Sequence, residues 1–256
     1  MLVVPPARGA TSIIGVGDFG VGGERQRATG AAVRDFESHT SADLLVTLGD
    51  NDYTRGRSFR VNWVSSFGWL GAAGVDVAGT LGNHDVEVGR GRYEFALLRM
   101  PGPYYVRRVN EVELIVLDST AITATQTKWL RRTLARRSRL RRIVVFHHPP
   151  YTCGGHLGSA TVRRAWVPLF ERYGVRLVLT GHDHNYQRFA RNGVTYVVHG
   201  GGGAGLYKLR ACPRGYPRRR AARVGHGFLH LTVAPDGVAV EVLDLAGIAI
   251  DRFRVT

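Results

Sequence analysis

Short apolar runs of strand-forming residues in this chain end repeatedly in glycine or a tight turn, followed by a side chain able to bind a metal ion. Residues 12–17 run into Gly17-Asp18, residues 43–48 into Gly49-Asp50 with Tyr53 three positions on, and residues 75–81 into Gly82-Asn83-His84. Residues 143–146 run into His147, and residues 176–180 into Gly181-His182-Asp183-His184. Apolar runs bounded by Gly and Asp, with longer mixed segments between them, are the pattern of parallel strands in an α/β sheet. Ligands of such sheets gather beyond the carboxyl ends of the strands, so these residues, distant in sequence, are expected to meet at one edge.

The remaining segments complete the layout. Helical spacing runs from Gly23 to Ser38, and residues 104–108 and 113–118 read as a hairpin. Residues 125–142 read as one helix with Trp129, Leu130, Leu134 and Leu140 buried and its arginines on a solvated face. Residues 194–199, 227–233, 238–243 and 248–255 read as strands, and residues 212–220 as a mobile basic loop. Helices dominate the early connections and strands the late ones. The expected fold is therefore α/β (α+β): a four-layer αββα sandwich of two mixed sheets packed face to face with helices outside, formed by residues 1–256 as a single domain.

Composition narrows the classes. At 256 residues, with 44% hydrophobic and 21% charged residues, the chain can bury a sizeable core. No apolar run approaches the ~18 residues of a spanning helix, which excludes an integral helical membrane protein. Met1 to Arg8 lacks a basic start followed by an apolar stretch, so no signal peptide is read there. The net charge of +15 rests almost wholly on arginine, Lys128 and Lys208 being the lysines. Such a field attracts anions, but the basic runs lack the interleaved aromatics of single-strand binders. They read as solvated, and nucleic acid is not expected as a stable partner. Two cysteines, Cys153 and Cys212, exclude a site of several thiolates; one disulfide and two free thiols both fit the count.

Taken singly, a Gly-Asp pair after a strand is an ordinary turn, and Gly-Asn-His-Asp an ordinary helix start. Together they put carboxylate, amide and imidazole donors at one strand end after another. His182 and His184 alternate, so in extended backbone both rings share a side. Oxygen and nitrogen donors without thiolate suit Fe, Mn and Zn. Asp50, central among them, is placed to bridge two ions, and a pair of metals about 3.5–4 Å apart stabilises both attacking and leaving oxygens at phosphorus.

Gly17-Asp18-Phe19-Gly20, Gly49-Asp50-Asn51-Asp52-Tyr53, Gly82-Asn83-His84-Asp85, Val144-Val145-Phe146-His147 and Gly181-His182-Asp183-His184 resemble the five blocks of the calcineurin-like metallophosphoesterases. More narrowly they resemble the purple acid phosphatases, with the pattern GDxG, GDxxY, GNH(D/E), VxxH and GHxH, in the small single-domain form. Asp18-Phe19-Gly20 lacks the histidine of the Asp-x-His start found in many relatives, and Tyr53 is the purple acid phosphatase substitute. The resemblance implies two metal ions. Asp18, Asp50, Tyr53 and His184 would hold Fe(III), and Asp50, Asn83, His147 and His182 a divalent Fe, Zn or Mn. A metal-bound hydroxide would attack phosphorus in line, with His84 contacting the phosphoryl or leaving group and Asp85 orienting His84 through a hydrogen bond. In the loop Cys153-Gly154-Gly155-His156-Leu157, where plant-type relatives carry two adjacent histidines, His156 remains to protonate the leaving group and Leu157 takes the second position. A Cys153–Cys212 bridge would pin that rim. His148 is an additional histidine that reads equally as a structural residue or as support for the site.

The expected activity is hydrolysis of phosphate monoesters. The alternative is a phosphodiesterase acting on nucleotides or other diesters with the same metals. A nucleic-acid-binding protein with a vestigial site is a third reading, which the intact set of ligand positions disfavours. Family resemblance points to an extracytoplasmic or secreted location; the sequence does not set the oligomeric state.

Overall fold

The computed structural model describes residues 9–256; the N-terminal segment read above for a signal peptide lies outside them. The chain opens with β1 (Thr11–Val16), α1 (Gly23–Thr40), β2 (Leu44–Thr47), α2 (Phe59–Phe67) and β3 (Asp76–Ala78). Short helices α3 (Asn83–Val86) and α4 (Arg92–Leu97) lead into the hairpin of β4 (Tyr105–Val109) and β5 (Val112–Val116). Next come α5 (Ala124–Ala135), β6 (Arg141–Val145), α6 (Ala160–Ala165), α7 (Val167–Arg172) and β7 (Leu177–Thr180). The rest is strand: β8 (Tyr186–Arg191), β9 (Val194–His199), β10 (Arg219–Arg223), β11 (Gly227–Ala234), β12 (Gly237–Asp244) and β13 (Ala249–Val255).

Two mixed sheets form, in the orders β13-β12-β11-β1-β2-β3 and β10-β8-β9-β7-β6-β5-β4. Side-chain alternation divides each central strand between two cores. Ile13, Leu44 and Val46 of the first sheet meet Leu114, Ile143, Val145 and Leu177 of the second in the seam between them. Their neighbours Ile14 and Leu45 turn outward onto Val33 of α1 and Trp63 and Phe67 of α2. On the far side Ile115, Val144 and Val178 pack on Leu130, Leu134, Trp166 and Phe170 beneath α5 to α7. Both faces of every central strand are covered, which is why these strands read as unbroken apolar runs. The result is the expected four-layer sandwich.

Two local expectations are corrected, and the state of the cysteines is seen. The helix expected to reach Arg142 ends at Ala135, and Arg141 and Arg142 open β6. Arg142 folds back on the helix end: Nη1 donates to the Leu134 carbonyl at 2.7 Å while Nε donates to Glu113 at 2.8 Å. A cation satisfying the last carbonyls ends the helix without glycine or proline. The basic loop expected at 212–220 holds over residues 212–218 and then gives way at Arg219 to β10, which pairs antiparallel with β8 as an edge strand; β8 itself had no expected counterpart. Cys153 and Cys212, left open by the count, form a disulfide. Among the described residues no helix is long and apolar enough to cross a membrane.

Candidate metal centre

The carboxyl ends of β1, β2, β6 and β7 open onto one edge, where the loops interlock. The Asp18 amide donates to the Gly49 carbonyl at 3.0 Å, and the Gly181 amide to the His147 carbonyl at 3.1 Å. Asp18, Asp50 and His182 all adopt left-handed backbone, with φ of 58°, 52° and 72°. Non-glycine residues hold such conformations only where surrounding structure enforces them, and they concentrate at functional sites. Glycines make the crowding possible. A Cβ on Gly82 would overlap the Asp50 carboxylate, and one on Gly181 the Asp18 carboxylate.

Seven candidate ligands converge as one chain of polar atoms. Asp18 Oδ1 lies 3.3 Å from His184 Nε2, which lies 3.1 Å from Tyr53 Oη. Tyr53 Oη is 3.2 Å from Asp50 Oδ2, which is 3.4 Å from His147 Nε2. That nitrogen is in turn 3.1 Å from Asn83 Oδ1 and 3.2 Å from His182 Nδ1. Two lobes result, Asp18–His184–Tyr53 and His147–Asn83–His182, joined through Asp50 Oδ2.

Outer partners fix which nitrogen of each ring faces inward. His147 Nδ1 lies 2.9 Å from the Leu48 carbonyl and His184 Nδ1 2.7 Å from the Gly205 carbonyl. A carbonyl only accepts, so each Nδ1 carries a proton and each Nε2 presents a lone pair inward, the arrangement usual for metal-ligating histidine. In the neutral rings these lone pairs face carboxylate oxygens, Asp50 for His147 and Asp18 for His184. Asp18 Oδ1 is buried and accepts no hydrogen bond. Only a proton or a cation between such atoms reconciles them, and the oxygen and nitrogen donor set fits Fe, Zn or Mn.

The electrostatics point the same way. Burial would raise Asp50, but the charge of His147 and hydrogen bonds from His147 and the His84 amide hold it well below the carboxylate range. Burial would lower His147, yet Asp50 and Asp18 raise it to about 10. Asp18 is raised by burial and by Asp50. Burial and the charges of Asp18 and Asp50 push the Tyr53 phenol far up, so a phenolate there needs a cation beside it. Burial and His147 bring His182 down to about 2 and His148 to about 3, keeping both rings neutral.

The open side is rimmed by histidines. His156 stacks on His182 with ring centres 4.2 Å apart, His148 lies 4.5 Å from His182, and His84 packs 4.3 Å from Tyr53. His84 Nδ1 pairs with Glu87 at 2.7 Å, and Glu87 is held by Arg55 at 3.0 Å. The expected hydrogen bond from Asp85 to His84 is not formed. Asp85 is buried and accepts instead from the Asn51, Asp52 and Gly82 amides at 2.8, 3.0 and 2.7 Å, bracing two loops of the site against each other. In a helix adjacent residues point about 100° apart, while residues three apart share a face. Glu87, one turn beyond His84, is therefore the carboxylate that reaches it, and this spacing was available in the sequence.

Three further residues support the site. Asp183, between the two candidate ligands of its block, turns away and accepts from Gly155 N at 2.8 Å, tethering the His156 loop. Tyr207 stacks on His184 with centres 4.3 Å apart and planes within 10°. Ser119, at the end of β5, binds both the amide and the ring of His148. Nothing in the sequence around Ser119 or Tyr207 marks either as part of a site.

Comparison with known proteins agrees with this edge of the sandwich. Tartrate-resistant acid phosphatase type 5 of Oryctolagus cuniculus is 26% identical over a match covering 99% of this chain and 94% of that protein. Among solved structures, GAP50, described as the anchor in the inner membrane complex of Plasmodium, superposes with a TM-score of 0.81 at 17% identity over 97% of this chain and 89% of its own. Purple acid phosphatase PPD1 from yellow lupin superposes with a TM-score of 0.80 at 17% identity, over 99% of this chain and 55% of its own. Residues 11–186, well over half of the chain, match the model of the calcineurin-like phosphoesterases, so the chain belongs to that family and is a metal-dependent phosphoric ester hydrolase.

Proposed function

We propose that the chain hydrolyses phosphate monoesters at a centre of two metal ions. The observation carrying this reading is the position of Asp50 Oδ2, 3.2 Å from Tyr53 Oη and 3.4 Å from His147 Nε2, between two lobes of donors. Asp18, Asp50, Tyr53 and His184 would hold one ion, with the tyrosine favouring Fe(III). Asp50, Asn83, His147 and His182 would hold a divalent Fe, Zn or Mn. Bound there, the ions supply Lewis acidity toward phosphoryl oxygen and lower the pKa of water.

The chain's own residues do the rest. His84, with Nδ1 held by Glu87, would face the substrate through Nε2. His156, on the opposite rim, is placed to give a proton to the departing ester oxygen. Imidazoles of His84, His148 and His156 around one open rim offer polar partners for the three terminal oxygens of a monoester. The disulfide supports an oxidising, extracytoplasmic setting. The test is protein loaded with iron plus zinc or manganese and assayed on an aryl phosphate and a bis-aryl phosphate. The monoester is expected to have the higher kcat/KM by at least about tenfold; faster turnover of the diester would reverse the assignment.

A further inference from the structure

Asp183 sits between the candidate ligands His182 and His184 without belonging to the ligand set. Its carboxylate grips the loop that carries His156. Oδ1 accepts from the Gly155 amide at 2.8 Å and, more weakly, from the His156 amide at 3.4 Å. Oδ2 accepts from the Thr152 hydroxyl and from the Gln187 side-chain amide, the latter at 3.1 Å. Gln187 in turn accepts from the Cys153 amide at 2.9 Å. Thr152, Asp183 and Gln187 are all fully buried, so water does not compete for these bonds. A Cβ on Gly154 would overlap the Asp183 carboxylate, and one on Gly155 the Tyr207 ring, so the loop lies as close as glycine permits.

The His156 ring projects from this clamped backbone, partly exposed. It stacks on His182 at 4.2 Å and stands edge-on to Tyr207 at 5.1 Å between ring centres. Asp183 Oδ1 is 4.0 Å from His156 Nδ1, beyond hydrogen-bond reach. The carboxylate therefore acts on the backbone of the loop and not on the imidazole. Because Asp183 is covalently joined to both candidate ligand histidines, one residue ties the place of His156 to the place of those ligands. We infer that Asp183 is a positioning residue, whose hold on residues 152–156 sets the His156 ring where it can serve the departing ester oxygen. This rests on the proton-donor role proposed for His156.

The test compares metal-loaded parent, His156→Ala, Asp183→Ala and Asp183→Asn on 2,4-dinitrophenyl phosphate and phenyl phosphate, with metal content measured alongside. The poorer leaving group depends more on a proton donor, and general acids contribute about 10²–10⁴-fold. His156→Ala and Asp183→Ala are both expected to lose at least about tenfold more kcat/KM on phenyl phosphate than on the dinitrophenyl ester. Asp183→Asn keeps an acceptor for the Gly155 amide. It is expected to fall between Asp183→Ala and the parent, and it carries the same comparison should the alanine variant not fold. The double variant His156→Ala, Asp183→Ala should match His156→Ala within about twofold, because residues that act through one another are not additive. Losses in Asp183→Ala that are equal on the two esters, that add to those of His156→Ala, or that accompany loss of metal would overturn the inference. Amide hydrogen exchange of zinc-loaded protein reads the clamp without turnover. Gly155 should exchange at least about tenfold faster in Asp183→Ala, the scale of one lost hydrogen bond to a charged group; an unchanged rate would also overturn the inference. A protein that keeps Gly155 protected yet turns over no monoester, or a His156→Ala variant with even losses, would count against the proposed function instead.

Discussion

Asp50 and His147 meet on the floor of the candidate centre, carboxylate Oδ2 3.4 Å from imidazole Nε2, with both side chains buried. The Leu48 carbonyl occupies the other ring nitrogen. Nε2 must therefore hold either a proton or a cation, and the two compete.

That competition gives a pH dependence. In the field of the chain's own carboxylates His147 keeps its proton up to about pH 10, so metal loading at neutral pH must expel it. Metal affinity should rise with pH between 5 and 8 and fall on acidification, as for any site whose ligands deprotonate on binding. Zinc titrations in two buffers of different ionisation enthalpy should report close to one proton or more released per chain; zero release would remove the proton from Nε2 and with it this account of the contact.

Glu87 should matter to catalysis without mattering to the fold. It is half-exposed and pairs with His84 at 2.7 Å. Glu87→Ala is expected to lower kcat about 10- to 100-fold, in the range of orienting partners at metal sites, with the melting temperature and metal content unchanged. Arg55→Ala, one step further out at a side-chain exposure of 59%, should cost less than about fivefold, since exposed pairs contribute little. Equal kinetics for parent and Glu87→Ala would show that His84 needs no such partner.

Glu113 is buried between Arg142 and Arg108, which bond its two carboxylate oxygens at 2.8 and 2.9 Å. Burial would raise it, but the two guanidinium groups outweigh that and hold it below its ordinary value. A depressed folded-state pKa contributes stability that is present above the unfolded value and lost as pH falls through the folded one. Thermal stability of the parent should therefore fall on acidification below the ordinary glutamate range. Glu113→Ala should lose about 2–4 kcal/mol at neutral pH, because it strands Arg142, and should show a flatter acid limb in a series of melts. An acid limb unchanged by the substitution would place that pH dependence elsewhere.

The Cys153–Cys212 bridge joins the His156 loop to the segment that follows Tyr207, across a separation of 59 residues. Reduction should cost about 4 kcal/mol in the loop-closure treatment and raise KM more than it lowers kcat, because the rim loosens while the buried ligands stay. Melting and kinetics with and without dithiothreitol read both effects; an unchanged KM in a destabilised protein would limit the bridge to a structural role.

Legibility in the sequence followed burial. Strands such as β2 and β7 stood out because both their faces are covered, leaving uninterrupted Leu and Val runs that stop at Gly-Asp or Gly-His. The edge strand β10, Arg219–Arg223, gives no strand signal in the sequence, and its first two residues read as the end of the basic loop, since an edge needs no apolar alternation. The end of α5 differs from the expected one because Arg142 terminates it from another element, a tertiary contact that no local signal announces. At the site, adjacency in the chain tied Asp85 to His84, whereas helical geometry gives His84 to Glu87 and Asp85 to the neighbouring loop. Ser119 and Tyr207 reach the site only through the packing of β5 and the loop after β9, so they could not be found without the fold.

The most direct measurement is metal content with a visible spectrum, on protein purified without chelator and on its Asp50→Ala and Tyr53→Phe variants. The account predicts about two metals per chain including iron, a tyrosinate band that Tyr53→Phe abolishes, and loss of at least one metal in Asp50→Ala. A protein that takes up no Fe, Zn or Mn, or an Asp50→Ala variant that holds two metals as tightly as the parent, would contradict it.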